Sequence, residues 1–307
     1  MPPSLQVGPY TVFALADGEG PFFSPRGEAF PDATTEQWAA ADRFDPGALD
    51  ADGRWRLQFR TFAIRSDRGV TLVDAGIGPA DGPAASWAPV PGALPASLAA
   101  AGIEPSDVDT VVLTHLHTDH VGWAVVGGDR ARPFFPNAEY LLQRAELDAI
   151  GEVNPQLRAT VIDPLRAADQ LRLLDGDTPL RGGERVCATP GHTPGHQSVL
   201  VASGRERVAV TGDLLVHAIQ LLHPELAYVH ETDPERAGES RRQVLHSRTA
   251  DTLYLATPHL TEPFVVRRPV RRGRSSVPPR TAPVNAAVFP AAPGSERSAG
   301  PGSPGRI

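Results

Sequence analysis

The stretch Asp109-Thr110-Val111-Val112-Leu113 reads as a buried strand, and it runs directly into Thr114-His115-Leu116-His117-Thr118-Asp119-His120. That junction constrains the fold more than any other part of the chain. In an extended segment residues two apart share a face, so His115 and His117 point the same way, while Asp119 and His120 fall where the chain turns. One histidine at a strand end would be an ordinary solvated side chain. Four metal-competent groups crowded behind an apolar strand call for other strand ends to complete a coordination shell.

Three further segments can do so. Thr189-Pro190-Gly191-His192-Thr193-Pro194-Gly195-His196 writes Thr-Pro-Gly-His twice. Proline fixes φ and glycine permits positive φ, which gives a rigid loop that aims an imidazole inward. One of its two histidines suffices as a ligand, and His196 reads as a hydrogen-bonding support for the next strand. Val208-Ala209-Val210-Thr211-Gly212-Asp213 delivers a carboxylate at a strand end, and Leu255-Ala256-Thr257-Pro258-His259 delivers an imidazole at another. Imidazole nitrogen and carboxylate oxygen suit borderline ions such as Zn²⁺, and two-metal hydrolytic sites hold their ions roughly 3.5–4 Å apart.

Composition removes competing chemistries. The 307 residues contain one cysteine, Cys187, so no intramolecular disulfide and no thiolate cage is available. All 29 basic residues are arginine, which excludes a Schiff-base lysine, a Ser-Lys hydrolase and a P-loop lysine. The net charge of -7 argues against a nucleic-acid binder. No apolar run approaches the roughly 20 residues of a membrane span, and Met1–Tyr10 lacks a signal-peptide pattern, so a cytoplasmic protein is expected.

Along the chain, 57–64 and 69–73 read as neighbouring strands, 95–102 as a short helix and 109–114 as a buried strand. Residues 138–142 read as a strand leading into a helix over 143–150. Strands follow at 184–188, 198–202 and 207–211, then a helix over 234–247 capped by Asp233 and a last strand at 252–256. The pattern is that of a mixed α/β body over residues 1–266. From Arg267 to Ile307 the chain holds eight arginines against one acid, Glu296, with abundant Pro, Gly and Ser, and is expected to be a separate disordered tail.

The His-x-His-x-Asp-His run, the Gly-His-Thr-Pro-Gly-His loop, the Thr-Gly-Asp strand end and the late histidine, taken in this order, resemble the metallo-β-lactamase-fold hydrolases. The resemblance implies a four-layer αββα sandwich with metals at one edge. It places His115, His117 and His192 on a first ion and Asp119, His120 and His259 on a second, with Asp213 bridging and Asp74 bracing the site by hydrogen bonds. Two Zn²⁺ per chain are implied, with Fe or Mn as other occupants of the same donors.

Residues 213–220 and 258–264 resemble the branch of quorum-quenching lactonases and methyl-parathion-hydrolase-like enzymes. That implies hydrolysis of a small neutral or apolar ester, lactone or phosphotriester through a metal-bridging hydroxide. The alternative is an iron-dependent redox member of the same fold, a sulfur dioxygenase or oxygen reductase. Those lactonases carry a tyrosine shortly after the bridging aspartate, where this chain has Val216 and His217. Asp119 and His217 are therefore the candidate catalytic groups. Trp87, Trp123 and Phe134-Phe135 are candidate walls of the binding cleft. The expected partner is a small-molecule substrate, with neither nucleic acid nor membrane, and a homodimer is allowed.

Overall fold

The computed structural model describes residues 1–246, 251–267 and 280–281. Its first sheet contains β1 (Ser4–Val7), β2 (Tyr10–Pro21), β3 (Arg56–Ser66), β4 (Gly69–Val73) and β5 (Val108–Val112). A short ribbon of β6 (Val125–Val126) and β7 (Arg132–Pro133) intervenes before β8 (Glu139–Gln143) and β9 (Leu171–Leu174), and the sheet order is β1-β2-β3-β4-β5-β8-β9. The second sheet runs in chain order through β10 (Thr178–Pro179), β11 (Arg185–Ala188), β12 (Gln197–Ser203), β13 (Glu206–Val210), β14 (Thr252–Ala256), β15 (Phe264–Arg267) and β16 (Arg280–Thr281).

Helices α1 (Arg26–Ala29) and α2 (Thr35–Phe44) lie between β2 and β3, and α3 (Leu94–Ala100) lies between β4 and β5. Between β8 and β9 come α4 (Arg144–Asp148), α5 (Ile150–Val153) and α6 (Asp163–Ala167), and between β13 and β14 come α7 (Ala218–Leu222) and α8 (Pro234–Leu245). The pairs β4/β5, β5/β8, β8/β9 and β13/β14 are parallel, with α-helices in every crossover except that from β5 to β8, which is made by the histidine run and the β6–β7 ribbon. None of the helices among the described residues is long and apolar enough to cross a membrane.

Period-two alternation sets the layers. Phe62 and Ile64 of β3, Val73 of β4 and Val112 of β5 pack with Val199, Val208 and Val210 of the other sheet in one apolar cluster. The alternate residues Ala63, Leu72 and Val111 face the other way, onto Leu94 and Leu98 of α3 and Leu165 of α6. On the second sheet Ala209, Leu253 and Leu255 face outward onto α7 and Leu245 of α8. The result is helix, sheet, sheet, helix, the αββα sandwich.

The parallel pairs align their carboxyl ends, and those ends are where β4 releases Asp74, β5 the histidine run, β13 Asp213 and β14 His259. Ligand sites in α/β sheets form outside such ends. A bulge in β2 between Ala16 and Gly18 re-aims Asp17. Its Oδ2 accepts from Ile77 N at 2.6 Å and its Oδ1 from Leu94 N at 2.6 Å, tying the loop after β4 to α3.

Two expected boundaries move. β5 stops at Val112, because Leu113 and Thr114 already turn toward the site, and the helix expected over 143–150 breaks into α4 and α5 at Ala149. Arg267 completes β15, and Arg280–Thr281 pair antiparallel with Val266 and Val265. The open edge of β15 accepts any extended segment, whatever its composition. The remaining tail positions, 268–279 and 282–307, lie outside the described residues.

Candidate metal centre

The loop after β5 is held by its neighbours before it holds anything. Ala75 N donates to His120 O at 2.7 Å, and Gly122 N and Trp123 N donate to Gly76 O and Ala75 O, each at 2.7 Å. A Cβ on Gly122 would lie 2.2 Å from the carbonyl carbon of Ile77, so only glycine permits this crossing. Glu146, fully buried at the start of α4, accepts from Leu116 N at 2.8 Å and from Gly195 N at 2.9 Å. One carboxylate thereby locks the histidine run against the Gly-His-Thr-Pro-Gly-His loop.

These constraints gather seven side chains into two groups: His115, His117, His192 and Asp213 in one, and Asp119, His120 and His259 in the other. His117 Nδ1 lies 3.0 Å from both His115 Nε2 and His192 Nε2. Asp213 stands between the groups. Its Oδ2 lies 3.3 Å from His192 Nε2 and 3.8 Å from His115 Nε2, while its Oδ1 lies 2.9 Å from His259 Nε2 and 3.2 Å from His120 Nε2. Asp119 Oδ2 lies 3.5 Å from His120 Nε2 and 3.7 Å from His259 Nε2. Gly212, at φ +52°, makes the turn that sends Asp213 inward.

Outer hydrogen bonds decide which nitrogen of each ring faces the centre. Thr114 Oγ1 donates to Asp74 Oδ2 at 3.0 Å, which leaves its lone pair to accept from His115 Nδ1 at 2.9 Å. His120 Nδ1 donates to Asp74 Oδ2 at 2.8 Å, and His259 Nδ1 donates to Gln58 O at 2.8 Å. All three Nε2 atoms therefore turn toward the carboxylates. Asp74 braces from a left-handed backbone, φ 65°, a conformation that costs a non-glycine residue about 1 kcal/mol or more.

Burial keeps His115 and His192 neutral, well below the usual imidazole range, and pushes His117 down as well. At His120 burial is outweighed by Asp213, Asp119 and Asp74, which raise its pKa well above the usual value. His259 is raised in the same way by Asp213 and Asp119. Burial would raise Asp213 too, yet His120 and His259 hold its carboxyl well below the ordinary range.

This donor set fits divalent cations. Asp74, Asp119 and Asp213 are all at most 9% exposed, and buried carboxylates require compensating positive charge. His117 Nδ1 carries either one N–H or one lone pair, so it cannot make a full hydrogen bond with both of its close ring neighbours. A cation in each group relieves both conflicts.

A cavity of about 250 Å³ opens onto the cluster, with His117, Asp119, His192, Asp213 and His259 at its floor. Its walls include Phe22, Phe23, Trp87, Asn154, Tyr228 and His230. Trp87 Nε1 donates to Thr118 Oγ1 at 2.9 Å, and the Tyr228 ring stacks on His192 at 6.1 Å and 6°.

Of the expected wall residues only Trp87 lines the cavity. Trp123, Phe134 and Phe135 pack into the core behind the first sheet, where the Trp123 indole donates to Asp17. His217 stands apart too. It is 1% exposed, caps α7 by accepting from Ile219 N at 3.0 Å, and is enclosed by the rings of Phe30, Trp38 and Trp55. Its neighbour Val216 is the residue that reaches the cavity, because adjacent extended residues face opposite ways. His196 is a support, with Nδ1 2.9 Å from Thr189 Oγ1. Glu146, Tyr228 and His230 carry no motif that sequence reasoning could have used.

The family model described as Metallo-beta-lactamase superfamily matches residues 58–259. An N-acyl homoserine lactonase of Bacillus sp is 35% identical over 100 residues, 33% of this chain and 35% of that one. The N-acyl homoserine lactonase AttM of Azorhizobium caulinodans is 31% identical over 182 residues, 50% of this chain and 62% of that one. These matches thus span about a third to three-fifths of the curated relatives' length. The solved hydrolase AbOPH in the beta lactamase superfamily aligns at TM-score 0.69 and 26% identity over 89% of this chain and 94% of that one. AidC, a dizinc quorum-quenching lactonase solved with the product N-hexanoyl-L-homoserine, aligns at TM-score 0.70 and 22% identity over 91% and 96%.

Proposed function

The chain belongs to the metallo-beta-lactamase superfamily, and from that premise we propose that it is a dinuclear metal-dependent hydrolase of small neutral esters, with lactones foremost. The observation that carries this reading is Asp213, whose two oxygens divide between two histidine groups. A carboxylate so placed would hold an ion on each side, and zinc suits the donors. The curated relatives are N-acyl homoserine lactonases, which favours the lactone among ester-type substrates.

His115, His117 and His192 with Asp213 Oδ2 would hold one ion, and Asp119, His120 and His259 with Asp213 Oδ1 the other. Ions held there lower the pKa of water to about 7 and polarise a substrate oxygen, supplying a nucleophile where the chain offers no serine or lysine machinery. The residues themselves orient and exclude. Asp74 and Thr114 fix the rings, Glu146 fixes the two loops, and Asp119, the carboxylate at the cavity floor, is placed to take and return the proton of the attacking water. Phe22, Phe23 and Trp87 give the walls an apolar character that suits a neutral substrate. An acidic floor with no lysine or arginine among the cavity-lining residues disfavours polyanions.

The test is turnover of a γ-lactone, a 4-nitrophenyl ester and a paraoxon-type phosphotriester by protein stripped of metal and then reloaded with Zn²⁺. Zinc-restored hydrolysis led by the lactone is expected. Absence of hydrolysis, together with oxygen consumption by iron-loaded protein, would replace this reading with the redox one.

A further inference from the structure

His230 lines the same cavity as the floor residues yet belongs to neither ligand group. It lies exposed on the wall, and among the described residues neither of its ring nitrogens has a hydrogen-bond partner. Its ring is nonetheless held. Phe22, Phe23 and Tyr228 meet it at centroid distances of 6.1, 5.6 and 5.0 Å, at interplanar angles of 73°, 62° and 73°. Three edge contacts restrain the ring of a residue that lines the cavity.

The backbone beneath is equally fixed. Glu231 N donates to Tyr228 O at 2.9 Å, Tyr228 N donates to Glu231 Oε2 at 3.2 Å, and Thr232 N donates to His192 O at 3.0 Å. Glu231 is paired with fully buried Arg241 of α8, which also donates to Pro224 O and Leu226 O. A buried ion pair thus anchors the segment that carries His230.

Trp87 N–H already serves Thr118 and Asn154 Nδ2 already serves Leu116 O, so His230 and the Tyr228 hydroxyl are the donors on this wall without such a partner among the described residues. We propose that His230 is a catalytic residue of this site, its imidazole N–H donating a hydrogen bond to the departing oxygen of the ester as the acyl–oxygen bond breaks. The inference rests on the hydrolase reading.

With the substrate carbonyl and the attacking water oriented at the floor, His230 and Phe23 on the wall would meet the alcohol part on the open side. Water oxygen bonds to the acyl carbon, and the acyl–oxygen bond breaks with its electron pair going to the departing oxygen. That oxygen takes a proton from the consumed water. The acid product releases its own proton to solvent, and His230 ends as it began. Partial burial lowers the His230 pKa from its usual value, so the ring stays a neutral donor beside a site that must hold two cations.

The experiment measures kcat/KM on zinc-loaded protein for butyrate esters of 4-nitrophenol, phenol, trifluoroethanol and ethanol, comparing wild type, His230→Phe and His230→Gln. Phenylalanine keeps the ring contacts without a donor, and glutamine keeps an N–H. His230→Phe is expected to lose on the order of tenfold to a hundredfold on the ethyl ester and little on the 4-nitrophenyl ester, whose leaving group needs no help. His230→Gln should recover part of that loss. In a complex with a phosphonate monoester, the His230 ring N–H proton resonance should move downfield.

Equal losses for every ester, or none, together with an unmoved resonance, would overturn the role of His230 and leave the hydrolase standing. No hydrolysis of any ester by the wild type would overturn both.

Discussion

Asp74 Oδ2 lies 2.8 Å from His120 Nδ1, and this one bond determines that the Nε2 of His120 faces Asp213. Asp74→Asn keeps the size and tolerates the left-handed backbone, but sets an amide N–H against the imidazole N–H or forces a flip. Zinc affinity at the second group should fall by about 10- to 100-fold. Chelator competition measures it, and an unchanged affinity would remove Asp74 from the account.

Glu146→Ala leaves the Leu116 and Gly195 amides without their acceptor. Each buried orphan costs about 1–3 kcal/mol, so denaturant unfolding should show a loss of about 2–6 kcal/mol. Activity should fall with it, because the two ligand loops are no longer locked together. A loss under about 1 kcal/mol would mean that water replaces the carboxylate.

Burial pushes His217 down to about 3 from 6.5. Between those values the unfolded chain takes up a proton that the folded chain refuses, so this residue lowers stability as pH falls below 6.5. His217→Asn keeps a helix cap and removes that slope. Urea unfolding at about pH 7 and about pH 5 should show a smaller acid penalty for the variant, with turnover retained. Loss of turnover in a folded variant would return His217 to the chemistry.

Arg241→Met strands Glu231 in the interior and should cost about 3–5 kcal/mol. Converting Glu231 to Met in the same protein should recover a good part of it. A double variant no more stable than Arg241→Met, measured by urea unfolding, would show that the pair's carbonyl contacts, not its charges, hold the segment.

Residues whose chemistry repeats in a short span were legible in the sequence. His115, His117, Asp119 and His120 announced themselves behind an apolar strand, and His192, Asp213 and His259 each follow a strand with a clear end. The sandwich followed from alternation such as Phe62-Ala63-Ile64, whose neighbours face different layers. The first 56 residues gave no such signal. β2 is buried on both faces and interrupted by a bulge at Asp17, so its period is lost. Glu146, Tyr228 and His230 reach the site only through tertiary packing, from a helix start and from a connector without periodicity. His217 misled because a neighbour on an extended segment faces the opposite side. β16 was hidden by arginine-rich composition, which says little about whether an open sheet edge finds a partner.

The central claim is that Asp213 bridges two ions, and it is tested most directly by metal content. Mass spectrometry on wild type and Asp213→Asn, both purified without added metal, should give about two divalent ions per wild-type chain, chiefly zinc. Asp213→Asn should keep about one or none. One ion per wild-type chain, or an Asp213→Asn protein that still holds two, would contradict the bridge and with it the dinuclear account.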